Sequence, residues 1–133
     1  MVTVRAVVSR EPAACWRAFT DAATFGAWVP GLRRAQVIQT GVDGLPTEIL
    51  FEFGASRTYT LVYTYDHIAR EVRWQPGSGR LDAVAGFARF EPLEGGTSVT
   101  YGLEHHDGGA EISEVHALVT AFSQWMQSAR PAR

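Results

Sequence analysis

Tyrosine and histidine are the residues in this chain best suited to move a proton, and several of them sit in alternating runs. Tyr59, Tyr63 and Tyr65 alternate with Thr58, Thr60 and Thr64, while Tyr101 stands between Val99 and Leu103. A period of two places such residues on one face of a strand. Phe51 and Phe53 follow the same rule, and Trp74 occupies a short strand between the two tyrosine runs. An aromatic row of this kind either packs as solid core or lines a cavity, with tyrosine hydroxyls as its polar handles. Several inward hydroxyls favour the lining, because buried hydroxyls need partners. His105 extends the row of Val99, Tyr101 and Leu103, where it would exchange a proton with a ligand carbonyl beside a tyrosine. The plainer reading makes His105, and His116 at the border of a helical stripe, ordinary surface or half-buried histidines.

Other chemistries find less support. His105, His106 and His116 do not make a metal site, since neighbours on a strand point to opposite faces. Asp66-His67 has the look of a dyad but falls where a strand runs into a turn, so solvated turn residues are expected. There is no Gly-x-Ser-x-Gly elbow and no phosphate-cradling glycine loop. Cys15 is the single cysteine, which rules out a disulfide framework or a cysteine zinc site within the chain and reads as a small buried apolar residue. No catalytic residue, metal or cofactor is therefore assigned.

The elements that must hold the aromatic row follow from periodicity. Val2, Val4, Ala6 and Val8 alternate as a first strand. Ser9 is expected to cap the next helix, with Glu11 and Pro12 in its first turn and Cys15, Trp16 and Phe19 as its apolar stripe. Asp21 is expected to cap a second short helix bearing Phe25 and Trp28, which Pro30-Gly31 ends. Trp28 and Pro30 would frame a cavity mouth or simply pack the short helix.

From Leu32 the period becomes two. Turns at Val42-Asp43-Gly44, Gly54-Ala55-Ser56, Pro76-Gly77-Ser78-Gly79 and Glu94-Gly95-Gly96 separate strands in hairpin succession. In the strand Leu81–Glu91 the inward set is taken as Val84, Gly86, Ala88 and Phe90, because Arg89 and Glu91 then face water. Gly86 and Ala88 would leave volume unfilled. The last segment, near Ile112–Arg130, is a helix whose stripe of Ile112, Val115, Val119, Phe122 and Met126 must be buried. Seven antiparallel strands with no βαβ alternation give an α+β fold, a curved sheet wrapped around one long terminal helix.

The 133 residues fit one domain, 1–133. Hydrophobic residues at 46% and charged residues at 20% mark a globular chain rather than a disordered one. A net charge of −2 supplies no basic field for nucleic acid. No apolar stretch is long enough for stable membrane insertion, and the N-terminus lacks a signal-peptide core, so the cytoplasm is the expected location. All twelve basic residues are Arg, which reads as codon bias of a GC-rich, bacterial genome. A homodimer through a sheet edge or the helix stays open.

The layout resembles the START-like superfamily, the polyketide cyclase/dehydrase and lipid-transport proteins with a helix-grip fold. The likeness rests on Glu11-Pro12-x-x-x-Trp16, Asp21-x-x-x-Phe25-x-x-Trp28-x-Pro30-Gly31, Phe90-Glu91-Pro92, Gly95-Gly96-Thr97-x-Val99 and the terminal helix. It implies a cavity between the concave sheet face and that helix, and an apolar ligand; it carries over no catalytic residue.

Three functions follow from these readings. The first is a binder or carrier of a hydrophobic small molecule, lipid- or polyketide-like. Its site residues are Trp28, Phe51, Phe53, Tyr63, Trp74, Tyr101, His105, Val119, Phe122 and Met126. The second is a polyketide cyclase or dehydratase using tyrosine and His105 in the same cavity. The third is an interaction module whose grip is filled by its own side chains.

Overall fold

Alternation along the strands and the helical stripe of the terminal segment are both realised in the computed structural model, which describes residues 2–54, 57–77, 85–104 and 112–128. In chain order the elements are β1 (Val2–Val8), α1 (Pro12–Phe19), a 3-10 turn (Ala22–Thr24), α2 (Phe25–Trp28), β2 (Leu32–Thr40), β3 (Pro46–Phe53), β4 (Arg57–Asp66), β5 (Glu71–Pro76), β6 (Gly86–Leu93), β7 (Gly96–Leu103) and α3 (Ile112–Ser128). The seven strands make one sheet in the order β1-β7-β6-β5-β4-β3-β2, each pair antiparallel. Its concave face carries the core residues of the strands, among them Val4, Ile49, Phe51, Leu61, Val72, Phe90 and Val99, and the helices cover that face. This is the helix-grip arrangement.

α1 begins at Pro12, with Glu11 as its N-cap residue and no side-chain cap bond. The expected Ser9 cap is thus not made. Pro12, which has no amide hydrogen to orphan and a preset φ, starts the helix instead. Ser9 serves a different end of the chain: its amide donates to the Gln127 side-chain oxygen at 3.2 Å. Arg10 Nη1 donates to the Met126 carbonyl at 2.8 Å, so the last turn of α3 is tied down beside the start of α1. Asp21 does cap the 3-10 turn, its carboxylate accepting from the Ala23 amide at 3.0 Å. At the β2–β3 turn Gly44 takes a φ of +85°, a left-handed conformation that glycine adopts without a Cβ penalty.

The helical stripe behaves as the spacing requires over its described side chains; that of Ile112 lies outside them. Val115, Val119, Phe122 and Met126 are buried, while Ala117, Thr120, Gln124 and Gln127 face solvent. α3 packs against β1, β7 and α2. Val4 and Val8 on β1 are buried under it, and Val2 and Ala6 pack at the edge of the same cluster.

β6 spans Gly86–Leu93, later than the expected strand Leu81–Glu91; Val84 lies outside the described residues. Its phase is the expected one. Ala88 and Phe90 belong to the core, whereas Phe87 faces outward between the guanidinium groups of Arg73 and Arg89, 5.4 and 5.2 Å from its ring centre. The expectation that Gly86 leaves space is overturned. A Cβ there would stand 2.9 Å from Trp74 Cζ2 and 2.8 Å from Leu103 Cδ2. The missing side chain is occupied by neighbours that lean across it.

Candidate functional site

Antiparallel register assembles the aromatic row. Phe51 pairs with Tyr59 across β3 and β4, Tyr63 with Trp74 across β4 and β5, and Trp74 with Gly86 across β5 and β6. Ala88 pairs with Tyr101 across β6 and β7. With only Gly86 and Ala88 on β6 between them, the Trp74 and Tyr101 rings approach to 5.4 Å between centroids. The small residues therefore let two large rings on non-adjacent strands meet. Large side chains at those positions would have forced them apart.

Above this row lies a cavity of about 90 Å³. Phe51, Phe53, Tyr59, Leu61, Tyr63, Trp74 and Tyr101 form its floor, all from the sheet. Phe19 of α1, Phe25 and Trp28 of α2, Val29 just after it, and Leu118 of α3 close it from above. Phe19, Tyr63, Trp74 and Tyr101 are buried, whereas Val29, Phe53, Tyr59 and Leu118 are half-buried. The shallow end therefore lies where the end of α2 meets the β3–β4 hairpin and α3.

Trp28, Phe51, Phe53, Tyr63, Trp74 and Tyr101 are thus brought together around one space. Trp28 is inner wall rather than rim; its indole nitrogen donates to Thr24 Oγ1 at 3.2 Å, which fixes the ring. Pro30 is exposed and takes no part in the described wall. Val119, Phe122 and Met126 are buried beside the cavity, in packed core rather than on its described wall. The reason is Phe19, inserted from α1 beneath α3. Its ring lies 5.6 Å from Phe122, 5.3 Å from Phe90, 5.5 Å from Trp28 and 6.1 Å from Trp74. Only Leu118 carries α3 to the described cavity wall. His105 and His106 lie outside the described residues, and His116 is exposed.

Sequence reasoning left Phe19, Phe25, Val29, Tyr59, Leu61 and Leu118 out of the site. Phe19 and Phe25 were visible as helical apolar positions, and Tyr59 and Leu61 as members of the period-two row. Their shared space was not, because it depends on where α1 crosses the sheet.

The polar content of the cavity is phenolic. Burial pushes the Tyr63 hydroxyl well above the usual phenol range, with nearby Tyr101, Tyr65 and Tyr59 adding to the effect. Tyr101 is raised as well, chiefly by burial and then by Tyr59. Both are therefore neutral donors at neutral pH. No hydrogen bond to either hydroxyl is found among the described residues, although Tyr65 donates to the Pro46 carbonyl at 2.6 Å. The described buried side-chain oxygens that are sealed and without a hydrogen bond lie elsewhere, on Glu71 and Thr100. The Tyr63 and Tyr101 hydroxyls thus open on cavity space. No described wall residue carries a charge.

The remaining candidates are not gathered here. His67 Nε2 meets Asp43 Oδ2 at 2.9 Å, while Asp66 accepts from the amides of Ile68 and Ala69. Asp66 ends β4 and His67 opens the turn after it, as their position suggested, and His67 pairs instead with the neighbouring hairpin turn. That bond holds the Asp43 carboxyl below its usual range. Cys15 is buried and free, and burial pushes its thiol up. Among the described residues no group of His, Cys, Asp and Glu is set to hold a metal ion, and no helix is long and apolar enough to cross a membrane.

No protein-family model matches the sequence, and no curated protein matches it. Solved structures do. A START superfamily protein from Mycobacterium smegmatis is similar at a TM-score of 0.77 and 13% identity, over 94% of this chain and 95% of that one. The di-domain ARO/CYC StfQ from the steffimycin biosynthetic pathway has a TM-score of 0.76 and 14% identity, over 96% of this chain and 44% of that one. A STAR-related lipid transfer protein from Xanthomonas axonopodis has a TM-score of 0.70 and 14% identity, over 95% and 85%. At these identities the likeness is one of fold. The protein has the START-like, helix-grip fold.

Proposed function

We propose that this protein binds or carries a hydrophobic small molecule in the space between the sheet and the helices covering it. The observation that carries the reading is a cavity of about 90 Å³ walled by aromatic and aliphatic side chains, among them the neutral phenols of Tyr63 and Tyr101, for which no hydrogen bond is found among the described residues. An apolar wall with a few placed polar groups is the usual make-up of a small-molecule site. Ligands of drug size need roughly 300 Å³ or more, so any larger guest requires the half-buried end near Leu118 and Phe53 to open. The lipid-transfer and ARO/CYC proteins of similar fold support an apolar guest.

The test is thermal stability against a panel of lipid-like and polyketide-like compounds, with native mass spectrometry of the purified protein. Leu118→Trp, which plugs the cavity, is the control. The reading expects at least one class to raise the melting temperature of the wild type and not of the plugged protein. If nothing copurifies and no compound raises it, the reading fails.

One observation favours an enzyme instead, of the cyclase or dehydratase type. The Tyr63 and Tyr101 hydroxyls, without a hydrogen bond among the described residues, are donors that could polarise a ligand carbonyl. Burial keeps both phenols protonated, which suits hydrogen-bond donation to a carbonyl rather than the role of a base, and no carboxylate or histidine stands on the described wall. On this reading Tyr63→Phe slows turnover far more than it weakens binding; equal losses leave Tyr63 a binding role.

A further inference from the structure

We propose that Phe19 sets the size limit of this site. Its ring is a partition that divides the space under α3 into an open aromatic half and a filled half, and so confines the guest to the aromatic row of the sheet. This rests on the binding reading above and deepens it by naming the residue that decides how large a guest is accepted.

Phe19 has neighbours on both sides of the boundary. It lines the cavity, and there its ring centroid lies 5.5 Å from Trp28, 6.1 Å from Trp74 and 6.3 Å from Tyr101. In the other direction it lies 5.3 Å from Phe90 and 5.6 Å from Phe122, neither of which belongs to the described wall. Trp28 also reaches Phe122. Among the described ring contacts, however, Phe19 alone joins the cavity wall to Phe90.

The ring is held there by the helix that carries it. Cys15 and Trp16 precede Phe19 by four and three residues, so all three share one face of α1. Cys15 is buried, and Trp16 sits edge to face against Tyr65 and Phe90, with centroids 6.1 Å from each. Past the end of α1 the Thr20 hydroxyl donates to the Trp16 carbonyl at 2.8 Å, and the Thr24 hydroxyl to the Ala18 carbonyl at 2.9 Å. The helix is thus pinned before and after Phe19, and a guest cannot push the ring aside without moving α1.

The consequence is one of volume. With Phe19 in place the cavity is about 90 Å³, below the roughly 150 Å³ apolar cavity known to take up benzene. The Phe19 side chain itself ends in a phenyl ring. Its removal vacates the space of one ring beside the existing cavity, and neighbours refill such a hole only in part. In the wild type a guest can extend toward the half-buried end at Phe53 and Leu118, but not along α3.

Benzene and xenon are the probes, used on the whole protein as wild type, Phe19→Ala and Phe90→Ala, by calorimetric titration with benzene and by xenon-pressurised crystals. Phe19→Ala should bind benzene at least about tenfold more tightly than the wild type, the gain from burying about 55 Å² more of apolar surface. Its xenon density should run without a break from Trp74 to Phe122. Phe90→Ala removes a buried ring from the far side of the partition. There the xenon site should keep its wild-type outline at Phe19, with any new density separate from it. Phe19→Leu, which leaves an aliphatic group in the partition, should fall between the wild type and Phe19→Ala, and it carries the test if Phe19→Ala does not fold. No gain in benzene affinity from either Phe19 variant, xenon that still stops short of Phe122 in Phe19→Ala, or one merged site in Phe90→Ala each overturns the proposal and leaves the binding reading standing. Failure of xenon and benzene to enter any of these proteins removes both.

Discussion

Trp28 and Phe122 meet edge to face, with ring centroids 4.8 Å apart and planes inclined by 68°. The contact joins α2 to α3 and holds the cavity roof against the terminal helix. Phe122 is buried and also touches Phe19 and Phe90. It is therefore the place where the covering helices are locked together over the sheet.

Phe122→Ala should destabilise the protein by about 3–5 kcal/mol, because a buried ring is lost from a site that its neighbours cannot refill. Urea unfolding followed by tryptophan fluorescence measures it. A loss below about 1 kcal/mol would mean that α3 is not seated on this core.

Gly86→Ala should cost about 1–3 kcal/mol by overpacking. The added methyl would meet the Gly102 carbonyl oxygen as well as Trp74 and Leu103. The Trp74 ring would be pushed toward the cavity, so ligand binding should weaken along with stability. Unchanged stability and binding would show that Trp74 does not lean across β6.

Tyr63→Phe and Tyr65→Phe should part company. Tyr65 donates to the Pro46 carbonyl, and its loss should cost about 0.5–1.5 kcal/mol, one net hydrogen bond. Tyr63 has no such partner among the described residues, so its removal should be neutral or slightly stabilising. Equal costs in urea unfolding would place an unseen partner on Tyr63.

Alkaline pH should destabilise the fold in a defined window. Burial raises the folded-state pKa of Tyr63 and Tyr101, so the folded protein keeps protons that the unfolded chain releases above pH of about 10. Their contribution is intact below that pH and declines as pH rises beyond it, by up to about 1.4 kcal/mol per pH unit for each phenol. Urea titrations between pH 9 and about 11.5, with tyrosinate absorbance, measure it. In the folded protein, early ionisation of all four tyrosines would contradict the burial.

The strands and the terminal helix were legible because periodicity reports burial directly. Val119, Phe122 and Met126 had to be inside, and they are. Periodicity cannot say what an inward residue meets. That depends on α1, whose Phe19 enters beneath α3 and turns most of the helical stripe from cavity lining into core. The Ser9 cap failed for a local reason: Pro12 starts the helix two residues further on than that cap needs. The role of Gly86 failed for a non-local one, since the side chains that cover it, Trp74 and Leu103, come from β5 and β7. Tyr63, Trp74 and Tyr101 could be grouped from sequence because each lies on the inward phase of its strand. That the Tyr63 and Tyr101 hydroxyls find no partner among the described residues became visible only with the side chains in place.

Xenon tests the apolar space beneath the helices without knowledge of the guest. A crystal pressurised with xenon should show the gas between Phe25, Phe51, Tyr63 and Tyr101, as apolar cavities accept it, and Leu118→Trp should abolish that site. An interior that takes up no xenon there would contradict a cavity built to hold an apolar molecule.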